Sequence, residues 1–395
     1  MIREDILRTF YDAATIQRWN DHIRPMELTE LDKQAHKMII AFLIAKFEED
    51  NGLSVDWRIL IEGGIFEFLQ RVVLTDIKPA VFHRIVAEKG DELNLWVLNK
   101  LSDVVIDIKG GFLDKFKQYL LNKEYGVKEK KILKASHYLA TSWEFNIIYS
   151  LSPRSYAIEE TKQIIDSEIE QHDDLIGIQK LSYGKKSYGF VDICGYLRFQ
   201  QRWAQTPRIP KTSVLGHMLI VAMISYLCSV ELDACDKRLY NNFFTALFHD
   251  LPEALTRDII SPVKKSIEGL DKIIQEYEQA EFNKKILPLL PQSWQNEMRY
   301  FLTDEFKSRI LNNGKKEFVS SEEINKYFNH DEYSPVDGDI IKVCDHLSAY
   351  IEAVLSIEHG IASHHLIKGK EDLYLSNKNK NIAGIHFGQI FDYFK

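Results

Sequence analysis

The feature that most constrains this chain is that it reads twice. "IQRWNDHIRP" at residues 16–25 is echoed by "QQRWAQTPRIP" at 200–210. Each is followed by a helical segment with a histidine, "DKQAHKMIIA" and "SVLGHMLIVA". "GIFEFLQRVVLTDIKPAV" (64–81) lines up with "ALFHDLPEALTRDIISPV" (246–263), and "ILKASHYLATSWE" (132–144) lines up without a gap on "IIKVCDHLSAYIE" (340–352). Four matches in one order, at a shift of about 180 to 210 residues, are read as an internal duplication. A chain of 395 residues has the length for two such units. The polar, glycine-containing stretch "LSYGKKSYGF" (181–190) sets the boundary, giving units 1–181 and 182–395.

Long segments carry apolar residues at i, i+3, i+4 and i+7, as in "KQAHKMIIAFLIAKFEE" and "IIKVCDHLSAYIEAVLSIE". Alternating strand patterns are scarce, so the expected fold is all-α: two tandem helical bundles. A net charge of -8 argues against a protein that tracks a nucleic-acid polymer. The opening "MIREDILRTF" has no apolar h-region, and "HMLIVAMISYLCSV" is short for a membrane span, so no membrane is expected and the expected location is cytoplasmic. Cys194, Cys228, Cys235 and Cys344 form no CxxC pair and read as reduced, mostly buried thiols.

Comparing the two copies isolates a chemistry. His36 faces His217, and the His249-Asp250 pair faces Glu67-Phe68. Glu253 faces Arg71, and Asp345 faces His137. The first copy thus keeps the helical framework and loses the polar cluster. A His-Asp pair among Leu247, Phe248 and Leu251 is costly if buried and idle, so the carboxylate is expected to be paired, protonated or bound to a metal. Two imidazoles and two carboxylates, His217, His249, Asp250 and Asp345, suit one divalent ion: Mn, Fe, Co, Ni or Zn, with Mg less favoured by the imidazoles. On a continuous helix Glu253 shares the face of His249 and Asp250.

The ordered H…HD…D pattern resembles the HD-domain phosphohydrolase superfamily. Within it the chain looks most like the bacterial 5′-deoxynucleotidase (YfbR-like) branch. The residues that carry the likeness are "QRW" (201–203), His217, "HDLPEALTRDIISPVK" (249–264) and "KVCDHLSAY" (342–350). The resemblance implies an HD fold in residues 182–395 and a degenerate HD-like unit in 1–181. It implies metal ligation by His217, His249, Asp250 and Asp345, and catalytic roles for Glu253 at the attacking water and Asp258 near the phosphate. Arg202 would hold phosphate oxygens and Trp203 the sugar, with Lys264 a weaker anion contact. Arg202 and Trp203 recur as Arg18 and Trp19, so a structural anchor competes with ligand contact there. The substrate implied is a small phosphate ester, a (deoxy)nucleoside monophosphate. Alternatives are hydrolysis of nucleoside triphosphates or cyclic nucleotides, or a non-catalytic nucleotide-binding regulator. Gly216-His217-Met218 departs from the Glu-His-Ser usual in the family and bears on substrate choice. Two fused copies further suggest an intramolecular pseudo-dimer, or a homo-oligomer.

Overall fold

The computed structural model describes residues 2–182, 184–257 and 267–395. The protein is all-α, with short hairpins beside the helices. The N-terminal half runs through α1 (Glu4–Asp12), α2 (Glu30–Asp50), α3 (Trp57–Leu74), α4 (Pro79–Val105), α5 (Phe112–Leu121), α6 (Val127–Leu151), α7 (Ile158–Glu170) and α8 (Ile176–Lys180). The C-terminal half runs through α9 (Tyr188–Tyr196), α10 (Val214–Glu231), α11 (Asp236–Phe248), α12 (Leu270–Glu281) and α13 (Gln292–Leu302). The hairpin β1 (Arg309–Asn312) and β2 (Lys315–Phe318) follows, then α14 (Gly338–Glu358) and α15 (His364–Asn377).

Each half is organised round one helix, α2 or α10. These two pack on each other, and each packs on the long later helix of its half, α2 on α6 and α10 on α14. By length and composition α10 could cross a membrane, but 94% of it is buried inside the protein. A helix apolar on every side needs such a core position. Both central helices start alike. Thr29 Oγ1 accepts the Asp32 N–H at 3.3 Å, and Ser213 Oγ accepts the Gly216 N–H at 2.9 Å. An antiparallel bridge precedes each cap, Gln17 with Thr29 and Gln201 with Ser213. Trp19 and Trp203 both take positive φ, 59° and 56°, as do Thr75 and Arg257, 58° and 65°. Such angles are uncommon for bulky side chains and are held only by their surroundings.

The main apolar core crosses the mid-chain boundary. Phe42 of α2 packs on Phe244 and Phe248 of α11, at ring separations of 4.7 and 5.3 Å. The first helix of each half reaches the opposite half. From α1, Arg8 pairs with Glu358 at 2.7 Å and the Tyr11 hydroxyl donates to Ser348 O at 2.8 Å. Beside α9, Arg198 donates to Glu144 Oε1 at 2.8 Å. Cys194, Cys228 and Cys344 are buried free thiols, and Cys235 is partly buried.

The β1–β2 hairpin was not anticipated. Its turn is Asn313-Gly314, with φ of 48° and 76°. This dipeptide is the sequence signal for a tight two-residue hairpin, because both positions need positive φ. The strands are four residues long, too short for a visible alternation.

Candidate active site

Helix α11 does not continue through the His-Asp pair. It ends at Phe248, His249 is its cap, and Leu251–Ala254 form a 3-10 turn. The expectation of one continuous helix carrying His249, Asp250 and Glu253 is corrected here. The cause is Pro252, which lacks an N–H and whose ring would clash with the carbonyl of Phe248. The break turns the Asp250 side chain back toward α10.

His217 lies one turn into α10 and is fully buried. Its Nε2 lies 2.9 Å from Asp345 Oδ1 and 3.9 Å from Asp250 Oδ2. His249 Nε2 lies 3.2 Å from Asp250 Oδ2, and the two imidazole rings are 5.4 Å apart. Donor atoms of His217, His249 and Asp345 fall within 4.8 Å of one another, a group able to hold a metal ion. Two features fit an ion. His249 Nδ1 donates to Ala246 O at 2.7 Å, which leaves the buried Nε2, 3.2 Å from Asp250 Oδ2, as the nitrogen that an ion would take in place of a proton. Separations near 3 Å also match nitrogen and oxygen donors that share one ion at about 2.0–2.2 Å.

The electrostatics are those of a paired charge cluster. Burial works against the Asp250 carboxylate, but His249, His217 and Arg202 outweigh it and bring its pKa down to about 2. Asp345 is likewise buried, yet the close approach of His217 and the nearby His249 and Arg202 hold it well below the usual carboxylate range. Burial opposes the charge on His249 too, and Asp250 and Asp345 overcome it, raising its pKa to about 9. His217 moves down, through burial and then the Arg202 charge.

Arg202 faces both carboxylates. Its guanidinium lies 3.6 Å from Asp250 Oδ2, 4.0 Å from Asp345 Oδ1 and 3.4 Å from Glu352 Oε2. Trp203 donates its indole N–H to Glu352 Oε2 at 2.9 Å. Its ring lies so close to Gly369 of α15 that a Cβ there would stand 2.6 Å away. Trp203 is therefore anchored, and only Gly at 369 leaves room for it. Glu352 is fully buried, and although burial raises its pKa, Arg208 and Arg202 bring it down to about 2.

Glu253 sits on the 3-10 turn directly after the His-Asp pair and is buried. Asp258 and Lys264 lie outside the described residues. From the sequence, the Asp304-Glu305 pair after the amphipathic α13 cannot be argued above an exposed surface pair. There the partly buried Glu305 carries a pKa raised by burial and shaped by the charges of His249 and Asp250, and Phe306 packs 5.9 Å from the His249 ring. The buried Arg309 clamps this segment by donating to the carbonyls of Tyr300, Phe301, Asp304 and Lys307. No periodic pattern marks Glu305, because its approach depends on the hairpin that follows.

The N-terminal half holds a different cluster at the corresponding place. Counting from the caps, Lys33 follows Thr29 as His217 follows Ser213. Lys33 therefore stands where His36 was expected to match. His36 instead has Nε2 2.9 Å from Val191 O and is buried against Trp143. Lys33 Nζ contacts His137 Nδ1, and Lys37 Nζ pairs with Glu67, which also accepts the Tyr119 hydroxyl at 2.6 Å. Both lysines are fully buried. The N-terminal half is thus not empty of buried polar groups there, as the sequence comparison implied, but gathers Lys33, His137, Lys37 and Glu67. The anchor is the same in both halves: Trp19 Nε1 donates to Glu144 Oε2 at 2.9 Å, and Arg18 does so at 2.9 Å.

Residues 194–374 match the family model described as "HD domain". No curated protein matches the chain. The matched span contains every described residue of the C-terminal cluster, from Arg202 to Glu352. Such domains bind divalent metals and are in general metal-dependent phosphohydrolases. The match and this chemistry together support assigning residues 194–374 to the HD-domain superfamily.

Proposed function

We propose that the protein is a metal-dependent phosphohydrolase that removes the 5′-phosphate from (deoxy)nucleoside monophosphates. One observation carries the reading: His217 of α10, His249 and Asp250 just past the end of α11, and Asp345 of α14 converge, with Arg202 facing both carboxylates. This donor set would hold one divalent ion of the Mn, Co, Fe, Ni or Zn kind, or Mg. When bound, the ion supplies Lewis acidity and a more acidic water. Glu253, on the turn beside the ligands, takes the proton of the attacking water. Arg202 balances charge on the phosphoryl oxygens as the phosphorus–oxygen bond to the sugar breaks. The proton taken by Glu253 is passed on through solvent to the leaving sugar oxygen, and inorganic phosphate and a nucleoside leave. Asp258 is kept as a second carboxylate near the phosphate, on the resemblance alone. For Trp203, its bond to Glu352 favours a role in fixing the Arg202 backbone over contact with the sugar.

We also read residues 1–181 and 182–395 as two copies of one unit, the first without a metal set. The paired caps, the paired tryptophan anchors and the exchange of first helices support a pseudo-dimer within one chain. The buried lysines at 33 and 37 favour a regulatory or structural role for the first copy, since Lys33 Nζ on His137 and Lys37 Nζ on Glu67 fill the place where the second copy gathers its ligands.

The substrate class is tested by phosphate release from a panel of deoxy- and ribonucleoside monophosphates, triphosphates and cyclic nucleotides with Mn²⁺ or Co²⁺. Release from monophosphates is expected. Pyrophosphate or triphosphate release, or attack on cyclic substrates alone, would move the protein to another reaction of the superfamily. Binding without turnover would favour the regulatory reading.

A further inference from the structure

We infer that Tyr11, on the first helix of the N-terminal half, is a positioning residue for His217 in the C-terminal half. The inference rests on the reading of His217 as a metal ligand. The Tyr11 hydroxyl lies 2.8 Å from both Ser348 O and Ser348 Oγ. Ser348 Oγ in turn lies 3.0 Å from His217 Nδ1. Tyr11, Ser348 and His217 are all buried, so water does not compete for these contacts.

The direction of this chain follows from what each atom can do. A carbonyl oxygen only accepts, so the phenolic proton of Tyr11 goes to Ser348 O. The phenolic oxygen then accepts the hydroxyl proton of Ser348. With its own proton committed, Ser348 Oγ accepts from His217 Nδ1–H. Nδ1 thereby keeps its proton, and Nε2, 2.9 Å from Asp345 Oδ1 and 3.9 Å from Asp250 Oδ2, is the nitrogen left to ligate once an ion takes the place of the proton between them. Metal-ligating histidines are commonly fixed through the other ring nitrogen in this way. Without the phenol oxygen, Ser348 can turn its proton to Nδ1. The tautomer then reverses, and Nε2 carries a proton that must be removed before it can ligate.

A second contact places the same helix. Ser213, the cap of α10, donates its hydroxyl to Asp32 of α2, and a Cβ on Gly216 would lie 2.9 Å from Asp32 Oδ1. The start of the helix that carries His217 is thus seated directly on the N-terminal half. The first half contributes to the second half's site without touching the substrate.

The test is a calorimetric Co²⁺ titration of the full chain and of Tyr11→Phe, Ser348→Ala and the double variant, with the melting temperature of each metal-free protein as a check on folding. Tyr11→Phe keeps the ring and removes only the hydroxyl. We expect it to weaken Co²⁺ binding by about tenfold or more, within the range for outer partners of a ligand. In the Ser348→Ala background the same substitution adds nothing, because Tyr11 acts through Ser348. Should Tyr11→Phe not fold, Ser348→Ala alone carries the expectation of weakened binding. Wild-type affinity in Tyr11→Phe or in Ser348→Ala, or equal losses from Tyr11→Phe in both backgrounds, overturns the relay. Absence of Co²⁺ binding by the wild type overturns the metal reading itself, and the inference with it.

Discussion

Lys33 and His137 meet in the buried interior of the N-terminal half, at the place where His217 and Asp345 meet in the C-terminal half. A lysine amine and an imidazole supply no carboxylate, so this pair lacks the oxygen ligand that Asp345 gives beside His217. Burial, followed by the neighbouring positive charges, pushes the His137 pKa well below its ordinary value. The account therefore predicts about one tightly bound metal ion per chain, as expected for a single complete ligand set. His217→Ala should abolish it and His137→Ala should leave it in place. Elemental analysis after dialysis against Co²⁺ checks both.

Glu253 is predicted to act on the water and to leave the ligand cluster alone. Glu253→Gln should slow phosphate release by about 10²–10⁴-fold while Co²⁺ affinity stays near wild type. A parallel loss of metal would reassign Glu253 to the ligand set.

Trp203 is predicted to act chiefly through Glu352. Trp203→Phe removes a donor from a buried carboxylate, which should cost about 1–3 kcal/mol of stability. Denaturant melts measure this. A variant as stable as wild type but with a raised KM would instead put the indole in contact with substrate.

Glu352 and Glu30 are among the buried carboxylates whose protonation destabilises the fold in acid. Burial raises the pKa of both Glu352 and Glu30, but arginines beside each bring them to about 2. Their folded values thus lie below the unfolded value of about 4.3. The stabilisation is fully present above that pH and is lost as pH falls toward about 2. Each carboxylate contributes on the order of 3 kcal/mol across that window. Stability measured from pH 6 to 2 should fall steeply in wild type and less steeply in Glu352→Gln.

Much of this was legible in the chain. Helical periodicity gave the all-α fold, and the order of His217, His249, Asp250 and Asp345 gave the cluster. Other parts turned on local chemistry that periodicity does not encode. Pro252 was visible but was read as part of a helix. The Asn313-Gly314 turn was visible too, yet four-residue strands left no alternation to support it. Residue identity pairs His36 with His217, whereas distance from the helix cap pairs Lys33 with it, and only the structure shows the caps. The contact of Tyr11 with Ser348 spans 337 residues, and only the fold brings the two together.

The proposed metal-dependent phosphate ester hydrolysis rests on the centre formed by His217, His249, Asp250 and Asp345. Its most direct test is the rate of phosphate release from a deoxynucleoside monophosphate by chelated protein, before and after Co²⁺ is restored, beside Asp345→Ala. The account predicts no release without metal, recovery with Co²⁺ in wild type, and no recovery in the variant. Full activity in the chelated protein, or in Asp345→Ala, would contradict it.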